Sequence, residues 1–212
     1  MKTETITTQS QETVRNILDT AAQIFAEVGF AGARVDEIAR RAHVNKAAIY
    51  YHVGSKEALY AQVLQEIFSD LSERIVQYVQ EAQTPEEKLR VYIRQIGQTL
   101  QFRPQLAAIM MREVASGVQH LPDIIMQTLI QMISMLTTIL RQGEEAGVFA
   151  PSIPLMIHFM IVGQFIFLET SKHLISGHQQ AIPESFKRTH QTISETIVTE
   201  VENLILRTVK NF

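Results

Sequence analysis

Residues 46–52, "KAAIYYH", carry the side chains whose types and spacing could do recognition chemistry. At 3.6 residues per turn Ile49 points one way, and Lys46, Ala47, Ala48, Tyr50, Tyr51 and His52 point the other. A lysine, two phenols and an imidazole can reach phosphate oxygens or base edges. Two alanines keep the helix slim enough to enter a groove and touch thymine methyls. The chemistry open to such a face is binding of duplex DNA.

A helix this short is not stable alone, so neighbouring elements must hold it. The segment before it, "VDEIARRA", meets the requirement. Ala39 is small enough for two helices to cross, while Ile38, Ala42, Val44 and Ile49 form an inward apolar set, and His43-Val44-Asn45 make the corner. The pair reads as a helix-turn-helix. A helix over about 13–28 precedes it, with Val14, Ile17, Leu18, Ala21, Phe25 and Val28 on one face and Gly29 as its stop. Arg40 and Arg41 read as a solvated face.

Taken together, "AAQIFAEVGF", "VDEIARRAHV" and "NKAAIYYHVGSKEAL" resemble the DNA-binding domain of TetR/AcrR-type transcriptional regulators. The resemblance spans residues 13–60 and implies that Tyr50 and Lys56 contact phosphate, with Lys46, Ala47, Ala48, Tyr51 and His52 facing the groove. Four positions depart from the pattern. His43 stands where the turn usually has Gly, and a left-handed backbone there costs His more than Gly. Arg34 replaces the usual Ser/Thr, removing a helix cap but placing a guanidinium near the DNA. Ala47 and Val53 replace a frequent Gly and Phe.

The remaining chain is expected to be all-α, because apolar residues recur at helical spacing, Gly and Pro fall between the runs, and no period-2 alternation persists. Ser55 opens a helix to about residue 82. "TPEE" at 84–87 is a capping box with Pro at the first helical position. Pro104, Pro122 and Pro154 open the next three helices, and the last runs over about 184–209, giving about nine. Residues 1–11 read as a disordered tail, 12–60 as the DNA-binding domain and 61–212 as a ligand-binding and dimerisation domain.

The 212 residues carry a net charge of −3, but residues 1–60 hold seven Lys/Arg and seven Asp/Glu, so any DNA-facing surface is local. With no Cys, disulfides and thiolate chemistry are excluded. Residues 155–168, "LMIHFMIVGQFIFL", read as too short and too polar to cross a bilayer, and no secretory signal is visible. The expectation is a cytoplasmic protein with no membrane partner. No cofactor is expected. Glu169 and His173 share a helical face, yet without a third ligand at set spacing they do not define a metal site.

One helix-turn-helix cannot select a site in a genome, so a homodimer on a paired operator is expected. Gly163, Ile193, Ile197, Val201, Leu204 and Ile205 are the candidate interface residues, on the two helices from which the resembling family builds a four-helix dimer bundle. The resemblance also implies a repressor with a small-molecule effector. An apolar or amphipathic effector is expected within helices 85–175, with Arg94, Gln98, Phe102, Met110, Arg112, Met132, His158 and Gln164 as candidate contacts. Two rival readings remain open: an all-α carrier or enzyme with a degenerate helix-turn-helix, and a constitutive DNA-binding protein without an effector. No catalytic motif is present.

Overall fold

The structure, a computed structural model, describes residues 2–178 and 180–210, and among them nine helices. They are α1 (Lys2–Gly32), α2 (Val35–Arg41), α3 (Lys46–His52), α4 (Lys56–Glu81), α5 (Pro85–Phe102), α6 (Pro104–Ala115), α7 (Asp123–Glu145), α8 (Pro154–Gly177) and α9 (Glu184–Val209). The one exception to an all-helical pattern among these residues is an isolated antiparallel bridge between Phe149 and Lys210.

α1 begins at Lys2, through the stretch expected to be a tail. Residues 2–12 contain no Gly or Pro, so a helix nucleated further along extends backward without a break. Gly29, at φ 72°, interrupts the helix, and the chain makes one more turn to Gly32. Ile17, Ala21, Ile24 and Phe25 are buried, whereas Val28, expected on the same face, is half exposed beside the break.

The caps read from sequence are present. The Ser55 hydroxyl accepts from the Ala58 N–H at 3.2 Å. Thr84 Oγ1 accepts from the Glu87 N–H at 3.2 Å, and Glu87 Oε2 accepts from the Thr84 N–H at 3.0 Å. Both orphan donors of the α5 start are thus satisfied. α4 is buried along most of its length, from Leu59 and Tyr60 through Ile67 to Ile75. One end packs on α1 and the other on α5 and α7. α5 is central, in contact with α4, α6, α7, α8 and α9.

α7 and α8 are each long and apolar enough, by length and composition, to cross a membrane. The 155–168 run is short, but over the full helix the flanking apolar residues, with few charges and weakly polar Ser and Thr, keep the mean hydropathy high. In the structure both helices pack into the bundle, α7 against α4, α5 and α8, and α8 against α5, α6 and α9. The α7–α8 connection is fixed by the buried Phe149 ring and by the Ala150 N–H, which donates to the Val209 carbonyl at 2.8 Å.

Gly143 makes that ring's position possible, because a Cβ there would lie 1.9 Å from Phe149 Cδ2. Gly143→Ala is expected to destabilise the fold by about 2–3 kcal/mol through overpacking, read as a fall in the denaturant midpoint.

Candidate nucleic-acid interface and its coupling to the C-terminal helices

The short helices are held as their spacing requires. Ile38, Ala39, Ala42 and Ile49 are buried, and Ile38 and Ile49 belong to the same apolar cluster as Ile17, Ala21 and Phe25 of α1. In the corner His43 adopts φ 55°, the left-handed conformation that its position in the turn demands. The Asn45 side chain caps α3 by accepting from the Ala48 N–H at 2.6 Å. A side-chain amide at α1, Asn16, donates to the Ala42 carbonyl at 2.7 Å and ties the corner down. Arg34 forms no side-chain cap on α2, so the loss of the usual hydroxyl is real.

With Ile49 fixed inward, Tyr50 is 49% and Tyr51 85% exposed, and Lys46 and Ala47 are also exposed. Ala48 and His52 are half-buried, and the Tyr51 and His52 rings meet edge to face at 5.0 Å. Val53 is buried under the α3–α4 junction. Apart from its ring contact with His52, Tyr51 contributes little to the packing of this chain.

Three cations of this unit, Arg40, Arg41 and Lys46, are ion-paired. Arg40 and Arg41 both donate to Glu37, at 2.7–2.9 Å, and Arg41 also grips Glu27 of α1 at 2.8 Å. These hydrogen bonds pull the Glu37 carboxyl down to about 2. Arg41 therefore staples α2 to α1, a role its sequence position did not reveal. Lys46 pairs with Asp36 of α2 at 2.8 Å. Arg34 is exposed and makes no ion pair among the described residues. The Lys56 ammonium lies 4.5 Å from the centre of the Phe30 ring.

Several contacts couple this unit to the C-terminal helices. Tyr60 donates its hydroxyl to Glu113 Oε1 at 2.8 Å, both residues being fully buried, and Glu113 Oε2 accepts from the His120 N–H at 3.2 Å. Burial, with Glu113 beside it, raises the Tyr60 phenol far above its ordinary range. Phe30 stacks near Tyr60 and His120, with centroids 5.1 and 4.8 Å away. Arg112 donates to the Ala26 and Glu27 carbonyls, capping the end of α1 from α6. Arg103, between α5 and α6, lies 3.6 Å from both Asp19 of α1 and Glu66 of α4.

The candidate effector residues do not converge on one apolar chamber. Gln98 and Phe102 line a cleft of about 540 Å³ between α4 and α5, together with Glu66, Asp70, Arg74 and Gln95. Arg94 instead joins Arg90 in a two-arginine clamp on Glu202 of α9, at 3.1 Å each. Arg112 serves the α1 end, Met132 is buried in the core, Met110 packs against it, and Gln164 is exposed on α8. His158 is buried and bonded through Nδ1 to the Tyr92 hydroxyl at 2.9 Å. Packing is close at Gly97, where a Cβ would lie 2.6 Å from the Phe165 ring. Side-chain partners far apart in sequence decide these placements, which helical periodicity cannot reveal.

Of the interface candidates, Ile197, Val201 and Ile205 are buried within the subunit, while Ile193 and Leu204 are exposed and Gly163 faces open space. α9 thus has an inner and an outer apolar face, and the sequence reading merged them. The outer face of α8 also carries Met156, Phe159 and Phe167, three and then eight residues apart, about one and two helical turns, which sequence reasoning overlooked. The side chain of His173 lies outside the described residues; among those described, no group of three or more His, Asp or Glu could hold a metal.

A three-helix N-terminal unit with an outward α3, mounted on a larger helical body, defines a helix-turn-helix transcriptional regulator. The profile of the bacterial regulatory proteins of the tetR family matches residues 17–63, and that of the tetracyclin repressor-like C-terminal domain matches residues 85–198. The chain belongs to the TetR family of DNA-binding regulators. It is 27% identical over 172 residues to the transcriptional repressor NicS of Pseudomonas putida, covering 80% of this chain and 81% of that one. It is 30% identical over 145 residues to the regulator RutR of Escherichia coli K12, covering 68% of each chain. The ketosteroid regulator KstR2 of Mycobacterium tuberculosis shares the fold at a TM-score of 0.71 and 21% identity, over 94% of this chain and 95% of that one.

The buried pairs generate two expectations. Tyr60→Phe leaves the Glu113 carboxyl short of a donor and should lower stability by about 1–3 kcal/mol in chemical denaturation. Burial holds the His158 imidazole below its ordinary 6.5. A native pKa below the unfolded one means that its contribution is complete above about pH 6.5 and is lost as pH falls toward the lowered native value. Unfolding free energy measured between pH 7 and 5 should therefore fall on acidification, and His158→Gln should reduce that slope.

Proposed function

We propose that the chain is a repressor that binds a palindromic operator as a homodimer and releases it when a small effector occupies the C-terminal helices. Residues 12–60 act as the reading head and 61–212 as the effector and dimerisation domain, in the cytoplasm. The observation that carries this reading is the outward face of α3, with Tyr51 85% exposed above a fully buried Ile49. The names of its relatives point the same way, NicS being called a transcriptional repressor.

On the head, Tyr50 and Lys56 hold phosphates, and Ala47, Ala48, Tyr51 and His52 meet the groove. Arg34, unpaired at the start of α2, adds a further phosphate or guanine contact. Lys46 joins them once it leaves Asp36. The homodimer forms through the outer faces of α8 and α9, where Gly163, Ile193 and Leu204 lie beside Phe159 and Phe167. An exposed apolar surface of this kind on a folded subunit is supported by an interface role. An effector acts only by binding the DNA-incompetent arrangement more tightly.

Tyr50→Ala and Lys56→Ala are each expected to weaken operator binding about tenfold while leaving the dimer intact, and Lys56→Ala should reduce the salt slope by about 1. Gel shifts at several salt concentrations, with sedimentation for the assembly, make the check. Unchanged affinity in both variants, or no salt-sensitive duplex binding by the parent protein, would overturn the assignment.

A further inference from the structure

The cleft between α4 and α5 has a composition that the interior of the bundle does not share. Glu66, Asp70, Arg74 and Tyr78 face it from α4, and Gln95, Gln98, Thr99 and Phe102 from α5, with Arg103 at one end. Its volume of about 540 Å³ is within the range of small-molecule sites. Two guanidiniums face two carboxylates.

One wall residue turns the polar end of a largely buried side chain to this space. Gln95 is only 8% exposed, yet its side-chain amide makes no hydrogen bond among the described residues. The amide is open to the cleft, so its donors and its acceptor are available to a ligand carrying matching groups. Tyr78 and Gln95 also line an adjoining cleft of about 410 Å³, so the amide lies where the two spaces meet.

The charged groups are only partly committed. Arg74 donates to Asp70 at 2.6 Å and to Thr99 Oγ1 at 2.8 Å, which leaves other guanidinium N–H groups directed elsewhere. Arg103 has ion partners at 3.6 Å, beyond hydrogen-bond range, in Asp19 and Glu66.

We propose that this cleft binds a zwitterion of amino-acid to dipeptide size. Its carboxylate pairs with Arg103, its ammonium with Glu66 or Asp70, and an amide group with Gln95 and Gln98. An apolar ligand would strand the same polar walls, and a purely anionic one would meet two carboxylates. Occupation would also draw Arg103 away from Asp19, loosening a link between the C-terminal helices and α1. This regulatory consequence rests on the repressor reading given above; the binding itself does not.

The test is calorimetric titration of the full-length protein, without DNA, with a set of zwitterionic dipeptides led by glycylglutamine, and with decanoate as the apolar comparison. At least one dipeptide is expected to bind saturably and to shift the Gln95 and Gln98 side-chain amide resonances. Gln95→Leu should weaken that binding about tenfold or more while leaving the thermal midpoint equal or higher, which a merely structural glutamine would not do. No saturable dipeptide binding, equal binding to Gln95→Leu, or binding of decanoate alone overturns the proposal. A parallel gel shift of the ligand-free protein reports on operator binding, so failure of the cleft and failure of the repressor reading are separately visible.

Discussion

A seven-residue helix cannot hold its own direction, and the structure of this protein is organised around that constraint. α3 has a single fully buried anchor, Ile49, and its direction comes from the packing of Ile38, Ala39 and Ala42 beside it and of α1 beneath. The left-handed backbone at His43 is tolerated within this arrangement because Asn45, Asn16 and the apolar set all fix the corner around it. The outward presentation of Tyr50 and Tyr51 is thus a property of the three-helix unit, not of the recognition segment.

α4 extends the same apolar seam into the body. Leu59 and Tyr60 belong to the head, Leu71 and Ile75 to the bundle, and all four are in one continuous core. Close-packed interiors move between discrete arrangements instead of deforming smoothly. Polar contacts reinforce the seam at its edges, where Arg112 caps α1 and Tyr60 meets Glu113. The C-terminal helices are thus connected to α3 through α1, which α4 and α6 contact and on which α2 and α3 pack.

Charge on the head is arranged for geometry as much as for attraction. Glu37 holds two arginines, and Arg41 joins α2 to α1. Arg15, Arg34 and Lys56 form no ion pair among the described residues, so half of the head's described cations are committed to structure and half are not. In the body, buried polar residues mostly have structural partners, as in the Glu202 clamp and the Tyr92–His158 pair. Gln95 is the contrast, and its open amide marks the α4–α5 cleft as different from those paired sites.

What was legible in sequence was whatever depends on neighbours three or four residues away. The helix stops and caps at Gly29, Ser55 and Thr84, the corner at 43–45 and the inward–outward split around Ile49 all follow from local chemistry, while the left-handed backbone at His43 was suggested only by the family resemblance. Composition alone misjudged the start of α1, since lack of apolar residues does not prevent a helix from propagating. Only the tertiary structure decided which of two apolar faces of α9 is internal, sending Ile197, Val201 and Ile205 inward and Ile193 and Leu204 outward. It also decided that Arg94 would meet Glu202 and Arg112 the end of α1, across separations of 108 and about 85 residues. A side chain's role is set by the partner it finds, and partners that distant are brought together by packing, which helical periodicity does not encode.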